Sequence, residues 1–253
     1  MAPVSELHID VRAKRFPAVG QAAPVTAIRD LRFSVRPGEF VCLLGPSGCG
    51  KTTLLNIVAG LDRDYDGTID LPSTVARPRP VLGYVFQTPR LLPWRTVEEN
   101  VALVLNPSRA RSGIVDELLR VTGLADFRYA YPERLSVGMT RRVALARAFA
   151  VTPDLLLMDE PFISLDEPTA ERLRALLLDI WQARPTTILF VTHDTREAAR
   201  LADRVIVLTP SPASVRSVVN VDTPRDERAQ SKVLDRIRQR LLQPPQGSQQ
   251  SPF

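Results

Sequence analysis

The segment from Gly45 to Thr52 has residue types and a spacing that can bind phosphate. It reads Gly-Pro-Ser-Gly-Cys-Gly-Lys-Thr, which fits the pattern of a phosphate-binding loop. Glycines let main-chain N–H groups surround phosphate oxygens, and the start of a helix adds a positive dipole. Lys51 can neutralise the β- and γ-phosphates, and the Thr52 hydroxyl can bind Mg²⁺. We therefore predict a nucleotide site made of the loop and the helical turn after it: Gly45, Pro46, Ser47, Gly48, Cys49, Gly50, Lys51, Thr52 and Thr53.

Two carboxylates follow an apolar run later in the chain. Asp159 and Glu160 come directly after Leu155–Met158, which is typical of a buried strand. We expect Asp159 to hold Mg²⁺, directly or through water. Glu160 lies one residue further, where it could polarise an attacking water as a general base. Taken alone, the pair could also be two solvated acids at the end of a strand, and the phosphate loop favours the catalytic interpretation.

Four further motifs complete a series with a fixed order along the chain. They are Gln87 after Val85-Phe86, the sequence LSVGM at Leu135–Met139, Ser164-Leu165-Asp166 and Thr192-His193-Asp194. With the phosphate loop and the carboxylates, this order resembles the nucleotide-binding subunit of an ABC transporter, and the resemblance covers about residues 5–210.

The resemblance implies a role for each of these residues. Gln87 would complete the Mg²⁺ shell and sense the γ-phosphate. Ser136 and Gly138 would offer a hydroxyl and main-chain N–H groups to the γ-phosphate held by a second subunit. His193 would contact the γ-phosphate and hold the catalytic water in place. An aromatic near the N-terminus would stack on adenine, and Phe16 is the best candidate.

The LSVGM segment departs from the family's LSGGQ at two positions. Val137 stands where the family has Gly, and Met139 stands where it has Gln. Because Ser136 and Gly138 are kept, we expect the phosphate contact to survive. Met139 cannot hydrogen-bond as Gln does, so its contacts beyond the phosphate would differ.

The same resemblance implies cofactors and partners. ATP and Mg²⁺ would be the cofactors, and two copies of the chain would sandwich two ATP molecules head to tail. Permease subunits in the membrane would be direct partners, an extracytoplasmic solute-binding protein would act indirectly, and no nucleic acid is expected. Thr88–Val97 resembles the segment that importers use to receive a membrane subunit, although Trp94 could instead be a core aromatic.

The substrate class follows from two segments by resemblance only. LLPWRTV at Leu91–Val97 and MDEPFISLDEPT at Met158–Thr169 are similar to segments of the subfamily that serves nitrate, sulfonate and taurine uptake. This resemblance predicts an ATPase subunit of an importer for a small anionic solute. Two alternatives remain open: the ATPase subunit of an ABC lipid-trafficking system, and a soluble ABC ATPase without a transport role.

The elements that position these residues follow from hydrophobic patterning. Short, continuous apolar runs are typical of strands buried on both faces, as in parallel sheets. They alternate with helix-like stretches, the first of them Lys51–Leu61, so we predict an α/β fold with a mainly parallel sheet. The resemblance implies a P-loop NTPase core of the ABC ATPase type, with a small antiparallel β subdomain and a helical subdomain. The predicted strands are Phe40–Gly45, Val81–Phe86, Leu155–Met158, Thr187–Val191 and Val205–Leu208.

The predicted organisation is one nucleotide-binding domain over residues 5–220, with its helical subdomain at about 88–152. Residues 221–253 form a C-terminal extension, a helix followed by a disordered tail. The 253 residues contain two cysteines, too few for a disulfide framework, and the charge of +5 is spread along the chain. No apolar stretch approaches the ~20 residues that span a bilayer, and no secretory leader is expected. Together with these observations, the resemblance implies a peripheral protein on the cytoplasmic face of the inner membrane.

Overall fold

A computed structural model describes residues 5–18, 20, 23–73 and 79–243. The chain divides into two compact units. The first unit combines Met1–Arg79 with Thr187–Phe253, and the second consists of Pro80–Thr186.

Nine strands and eight α-helices lie in the described ranges. The strands are β1 (Leu7–Phe16), β2 (Val25–Val35), β3 (Phe40–Leu44), β4 (Asp66–Asp70), β5 (Leu82–Val85), β6 (Leu155–Asp159), β7 (Thr187–Thr192), β8 (Arg204–Leu208) and β9 (Val215–Asn220). The helices are α1 (Lys51–Val58), α2 (Val97–Ala102), α3 (Pro107–Ala110), α4 (Ile114–Val121), α5 (Val137–Ala150), α6 (Glu167–Ala183), α7 (Thr195–Leu201) and α8 (Ser231–Leu242). Within these ranges, no helix is both long and apolar enough to cross a bilayer.

The first unit contains two kinds of strand pairing. β3 pairs in parallel with β7 on one side and β8 on the other, and β9 adds an antiparallel edge to β8. β1 lies between β2 and β4 in a separate antiparallel sheet. All residues of β3 and β7 are buried, as their continuous apolar sequences predict. The α/β fold with a mainly parallel sheet and a small antiparallel sheet is therefore confirmed.

The second unit is built around the long helix α5. The parallel strands β5 and β6 pair with each other, and α5 packs on β5, α2, α4 and α6. Every residue from Val143 to Ala150 is buried. Gly83 in β5 permits a close approach, because a Cβ there would lie 2.7 Å from the main-chain oxygen of Ala148. The helix that begins at the LSVGM segment is thereby fixed against the strand that precedes Gln87.

Helix α1 ends earlier than its apolar pattern predicts. The pattern extends to Leu61, whereas the helix stops at Val58. Gly60 has a positive φ of 71°, its N–H donates to the oxygen of Ile57, and the N–H of Leu61 donates to that of Asn56. These two bonds are a Schellman motif, which closes a helix with a left-handed glycine.

The C-terminal extension is tied to α7 by a buried arginine. Arg228, which is 2% exposed, donates to the main-chain oxygens of Thr223 at 2.7 Å, Ala202 at 2.6 Å and Val221 at 3.0 Å. Burial lowers the pKa of Arg228 to about 10, so the side chain keeps its charge at neutral pH. The tail that the sequence predicts to be disordered lies, from residue 244 onward, outside the described residues.

We expect Arg228→Ala to lower the free energy of unfolding by about 2–4 kcal/mol, because buried carbonyl oxygens lose their donors. Urea unfolding of the purified chain measures the change. Arg236→Ala, an exposed arginine on α8, is the control and should change stability by no more than about 0.5 kcal/mol. Equal midpoints for the two variants would mean that Arg228 does not hold the extension.

Candidate nucleotide site

The phosphate loop connects a buried strand to a helix, as its motif predicts. It leaves β3 at Leu44 and enters α1 at Lys51, with Gly48 and Gly50 at φ values of 76° and 116°. These left-handed conformations are costly for any residue with a Cβ. The Lys51 ammonium donates to the main-chain oxygens of Gly45 and Pro46, both at 2.8 Å. The loop therefore curls around the cation that is expected to meet the phosphates.

The antiparallel sheet lies against the end of this loop. A Cβ on Gly50 would be 2.8 Å from the main-chain oxygen of Ala27 in β2. That oxygen also accepts a hydrogen bond of 2.8 Å from the N–H of Ala213. In the strand register, Phe16 pairs with Val25, two residues along β2 from Ala27. Since two strand residues span about 7 Å, Phe16 lies at the end of the sheet that meets the loop.

The two cysteines have no exposed thiol. Cys49 in the loop is 1% exposed, and Cys42 in β3 is fully buried. Burial raises the pKa of the Cys42 thiol well above its usual value. Cys49 can therefore contribute to a phosphate site through its main chain.

The segment around His193 is held by its neighbours on both sides. The Thr192 hydroxyl donates to the Glu197 carboxylate at 2.6 Å and accepts from the N–H of Asp194 at 3.0 Å. Asp194 in turn caps α7, accepting from the N–H of Arg196 at 2.7 Å. His193 is exposed between these two fixed residues, immediately after β7.

In the second unit, Asp159 is the last residue of β6 and Glu160 follows it, and both side chains are buried. They are 3% and 9% exposed. Glu160 has a φ of 42°, a left-handed conformation that is uncommon for a residue with a side chain. Burial raises the pKa of Tyr84, and the charge of Asp159 adds to that effect. The charge of Asp159 therefore acts in a poorly solvated environment.

Ser136 is the N-cap of α5. Its hydroxyl oxygen accepts from the N–H of Met139 at 3.2 Å, which leaves the hydroxyl hydrogen to donate elsewhere. A Cβ on Gly138 would lie 2.7 Å from Cγ2 of Thr169 in α6, whereas Val137 is 58% exposed. The close contact explains why position 138 needs glycine, and the exposure explains why position 137 accommodates valine.

Two arginines of α5 hold the segment that follows β5. Arg141 donates to the main-chain oxygen of Gln87, and Arg147 donates to those of Pro89 at 2.6 Å and Arg90 at 2.9 Å. Burial lowers the pKa of both guanidinium groups. Gln87 itself is exposed. The helix that Ser136 begins thus fixes the main chain around Gln87.

A groove opens beside this segment. Its volume is about 320 Å³, and its lining includes Phe86 and Arg90 together with Leu103 and Val104 at the end of α2. The Arg90 guanidinium lies 4.0 Å from the centre of the Phe86 ring. Trp94, in the same segment, is 69% exposed, so the alternative that it is a core aromatic is wrong.

The structure distributes the predicted residues between the two units. Phe16, the phosphate loop through Thr53 and His193 belong to the first unit, while Gln87, Ser136, Gly138, Asp159 and Glu160 belong to the second. Sequence reasoning overlooked Lys14, whose ammonium lies 4.8 Å from the centre of the Phe16 ring. The available signal was its position two residues before Phe16, which places both side chains on one face of a strand. It also overlooked the contacts of Arg141 and Arg147, whose acceptors are main-chain atoms.

Comparison with known proteins identifies relatives over most of the chain. Residues 28–163 match the model of the ABC transporter family. The chain is 40% identical over 236 residues to the aliphatic sulfonates import ATP-binding protein SsuB of Bacillus subtilis, covering 92% of each chain. It is 40% identical over 233 residues to the nitrate import ATP-binding protein NrtD of Synechococcus elongatus, covering 88% of this chain and 84% of that protein.

A solved structure gives the same result for the fold. The dimeric ATP-binding cassette MJ0796, in a post-hydrolysis state with ADP and Pi, superposes with a TM-score of 0.72 at 29% identity. The match covers 87% of this chain and all of that one. The resemblance read from the six motifs is thus confirmed by sequence and by structure, and the chain belongs to the ABC transporter family.

Proposed function

We propose that this chain, an ATPase of the ABC transporter family, energises the uptake of a small anionic solute through a membrane importer. The observation that carries the proposal is its identity of about 40% to import ATP-binding proteins for aliphatic sulfonates and for nitrate, over about nine-tenths of its length. Both solutes named for those relatives are small anions. The relatives thereby favour import over lipid trafficking or a soluble role.

ATP binding is assigned to the first unit. The N–H groups at the start of α1 and the Lys51 ammonium would bind the phosphates. When ATP binds, Lys51 would replace its two hydrogen bonds to carbonyl oxygens with hydrogen bonds to phosphate oxygens. Phe16, 41% exposed at the loop end of the antiparallel sheet, would stack on the adenine.

The side chains assigned to Mg²⁺ fit its chemistry. This ion prefers oxygen ligands and is usually held by one or two carboxylates together with phosphates and water. Asp159 would supply a carboxylate from a buried strand end, and Thr52 and Gln87 would supply a hydroxyl and an amide oxygen. Bound there, Mg²⁺ would neutralise charge on the β- and γ-phosphates.

Hydrolysis is assigned to Glu160 and His193. Glu160 would accept a proton from the attacking water as general base. His193 would contact the γ-phosphate and keep the water oriented, and the bonds of Thr192 and Asp194 would limit the movement of its main chain. The left-handed conformation of Glu160 supports the assignment, because such strain is concentrated at functional sites.

The complete site would require a second copy of the chain. Ser136 and the N–H groups at the start of α5 would bind the γ-phosphate of ATP held by the partner. The cassette MJ0796 is dimeric in its solved structure, which supports this arrangement.

Permease subunits would bind at the groove beside Phe86 and Arg90. Leu103 and Val104 in its lining, and Trp94 further along the segment that follows β5, are exposed apolar side chains of the kind that protein interfaces cover. The chain would then act as a peripheral subunit on the cytoplasmic face of the membrane, and a solute-binding protein outside would deliver the solute.

We expect Glu160→Gln to lower ATP turnover by about 10²–10⁴, because an amide cannot accept the proton of the water. Steady-state hydrolysis by the assembled transporter measures the effect, and the Kd for ATP should change little. Asp179→Asn, an exposed carboxylate on α6, is the matched control. Hydrolysis by Glu160→Gln at the rate of the control would remove Glu160 from the mechanism.

We expect Ser136→Asp to retain stability but prevent ATP-driven dimerisation. Asp caps a helix as well as Ser does, whereas its charge would oppose the γ-phosphate; Ser136→Ala should instead cost about 1 kcal/mol of stability. Light scattering of the Glu160→Gln protein with Mg-ATP measures the mass. Ser136→Thr, which keeps both the hydroxyl and the cap, should still dimerise. A dimer with Asp at this position would contradict the sandwich arrangement.

We expect Trp94→Ala to impair assembly with the permease while the isolated chain still folds and binds ATP. Cells carrying the variant in place of the native chain should accumulate less alkanesulfonate or nitrate. Leu242→Ala, another exposed apolar residue, should not reduce uptake. If loss of the whole chain leaves uptake of both anions unchanged, the proposed solute class is wrong.

A further inference from the structure

Lys14 is an unusual lysine, because its ammonium is buried and donates hydrogen bonds to three acceptor atoms. Its side chain is 3% exposed. Nζ donates to a carboxylate oxygen of Asp62 at 2.9 Å, to the main-chain oxygen of Asp64 at 2.6 Å, and more weakly to the Asp64 carboxylate at 3.4 Å. Burial lowers the pKa of Lys14, but the hydrogen bonds and charges of Asp62 and Asp64 raise it overall, so the side chain is charged at neutral pH.

The same ammonium lies against the aromatic ring of Phe16. The distance from Nζ to the ring centre is 4.8 Å, within the range of about 6 Å for a cation–π contact. Such contacts are stronger when the cation is shielded from water, as it is here. Phe16 remains 41% exposed, so ring surface is left for a second planar group.

The partners of Lys14 connect Phe16 to the phosphate loop. Asp62 lies just after α1, where its N–H donates to the main-chain oxygen of Asn56 at 3.1 Å. The N–H of Asp64 donates to the Asp62 carboxylate at 3.1 Å, which closes the turn around the lysine. Helix α1 is eight residues long, about 12 Å, and begins at Lys51. Lys14 therefore joins the strand that carries Phe16 to the far end of the helix that begins at the phosphate loop.

We propose that Lys14 is a positioning residue for the nucleotide base: it holds the Phe16 ring on one face so that the other face can stack on adenine at a fixed distance from the phosphate loop. This inference rests on the proposed ATP site, and in particular on Phe16 as its aromatic. A cation behind the ring also withdraws electron density from it, which favours stacking on an electron-rich base. Lys14 would make no contact with the nucleotide.

A double-mutant cycle tests the inference on the full-length chain in the Glu160→Gln background. Phe16→Ala should raise the Kd for Mg-ATP roughly 5- to 150-fold, the range expected for one base–aromatic stack. Lys14→Met should raise it about 3- to 10-fold when Phe16 is present and have no further effect when Phe16 is Ala. Lys14→Arg, which keeps the cation, should restore most of the affinity.

Inorganic tripolyphosphate, which has no base, separates positioning from a general structural role. Its Kd should not change in Lys14→Met, because the phosphate loop would be intact. Equal weakening of ATP and tripolyphosphate would overturn the proposal, as would an undiminished effect of Lys14→Met in the Phe16→Ala chain. If Lys14→Met does not fold, Asp62→Asn, which removes one anchor, should raise the Kd for ATP and leave that for tripolyphosphate unchanged.

The outcomes also separate this inference from the proposed function. If Phe16→Ala leaves the Kd for ATP unchanged while Lys51→Ala raises it, the chain binds ATP. The stacking role of Phe16 and the positioning role of Lys14 are then both wrong. If Lys51→Ala has no effect either, the ATP site itself is wrong.

Discussion

The arrangement of the first unit depends on the absence of a side chain at Gly50. The main-chain oxygen of Ala27 lies where a Cβ would be, so the antiparallel sheet can approach the start of α1. That approach brings the ends of β1 and β2 to the phosphate loop, and with them Phe16. The hydrogen bond from Ala213 to the same oxygen adds the loop between β8 and β9 to the contact. One glycine would therefore set where the proposed base site lies relative to the phosphate loop.

Several groups assigned to the nucleotide already have partners within the fold. Lys51 donates to two carbonyl oxygens of its own loop, and the Ser136 oxygen caps its own helix. Binding of phosphate would therefore exchange hydrogen bonds or add to them, and exchanged bonds contribute less free energy than new ones. If the assignment holds, these side chains are already ordered before a ligand arrives, and this order would lower the entropy lost on binding.

The buried strands and the chemical motifs could be predicted from the sequence. The edge strand, the end of a helix and the side chains that hold other residues in place were harder to predict. β3, β6 and β7 are continuous apolar runs, and the structure buries all of them, while the phosphate loop is recognisable from its spacing alone. Strand β9 was not predicted, because it is an antiparallel edge whose residues alternate between half-buried and exposed. The end of α1 was placed too late, because a left-handed glycine overrides the apolar pattern. The hydrogen bonds of Lys14, Arg141 and Arg147 could not be predicted, because their partners are distant in sequence and partly main-chain atoms.

The contacts of α5 with the segment around Gln87 have a consequence for the conditions under which the protein can work. The acceptors for Arg141 and Arg147 are main-chain oxygens, which do not titrate, and an arginine keeps its charge at any physiological pH. Both side chains are buried, so dissolved salt screens these bonds far less than it screens exposed ion pairs. Protons and cations accumulate near an anionic bilayer. The bonds of Arg141 and Arg147 to the segment that follows β5 would keep their strength there. Changes in acidity or ionic strength would then weaken exposed ion pairs on the surface before they weakened these buried hydrogen bonds.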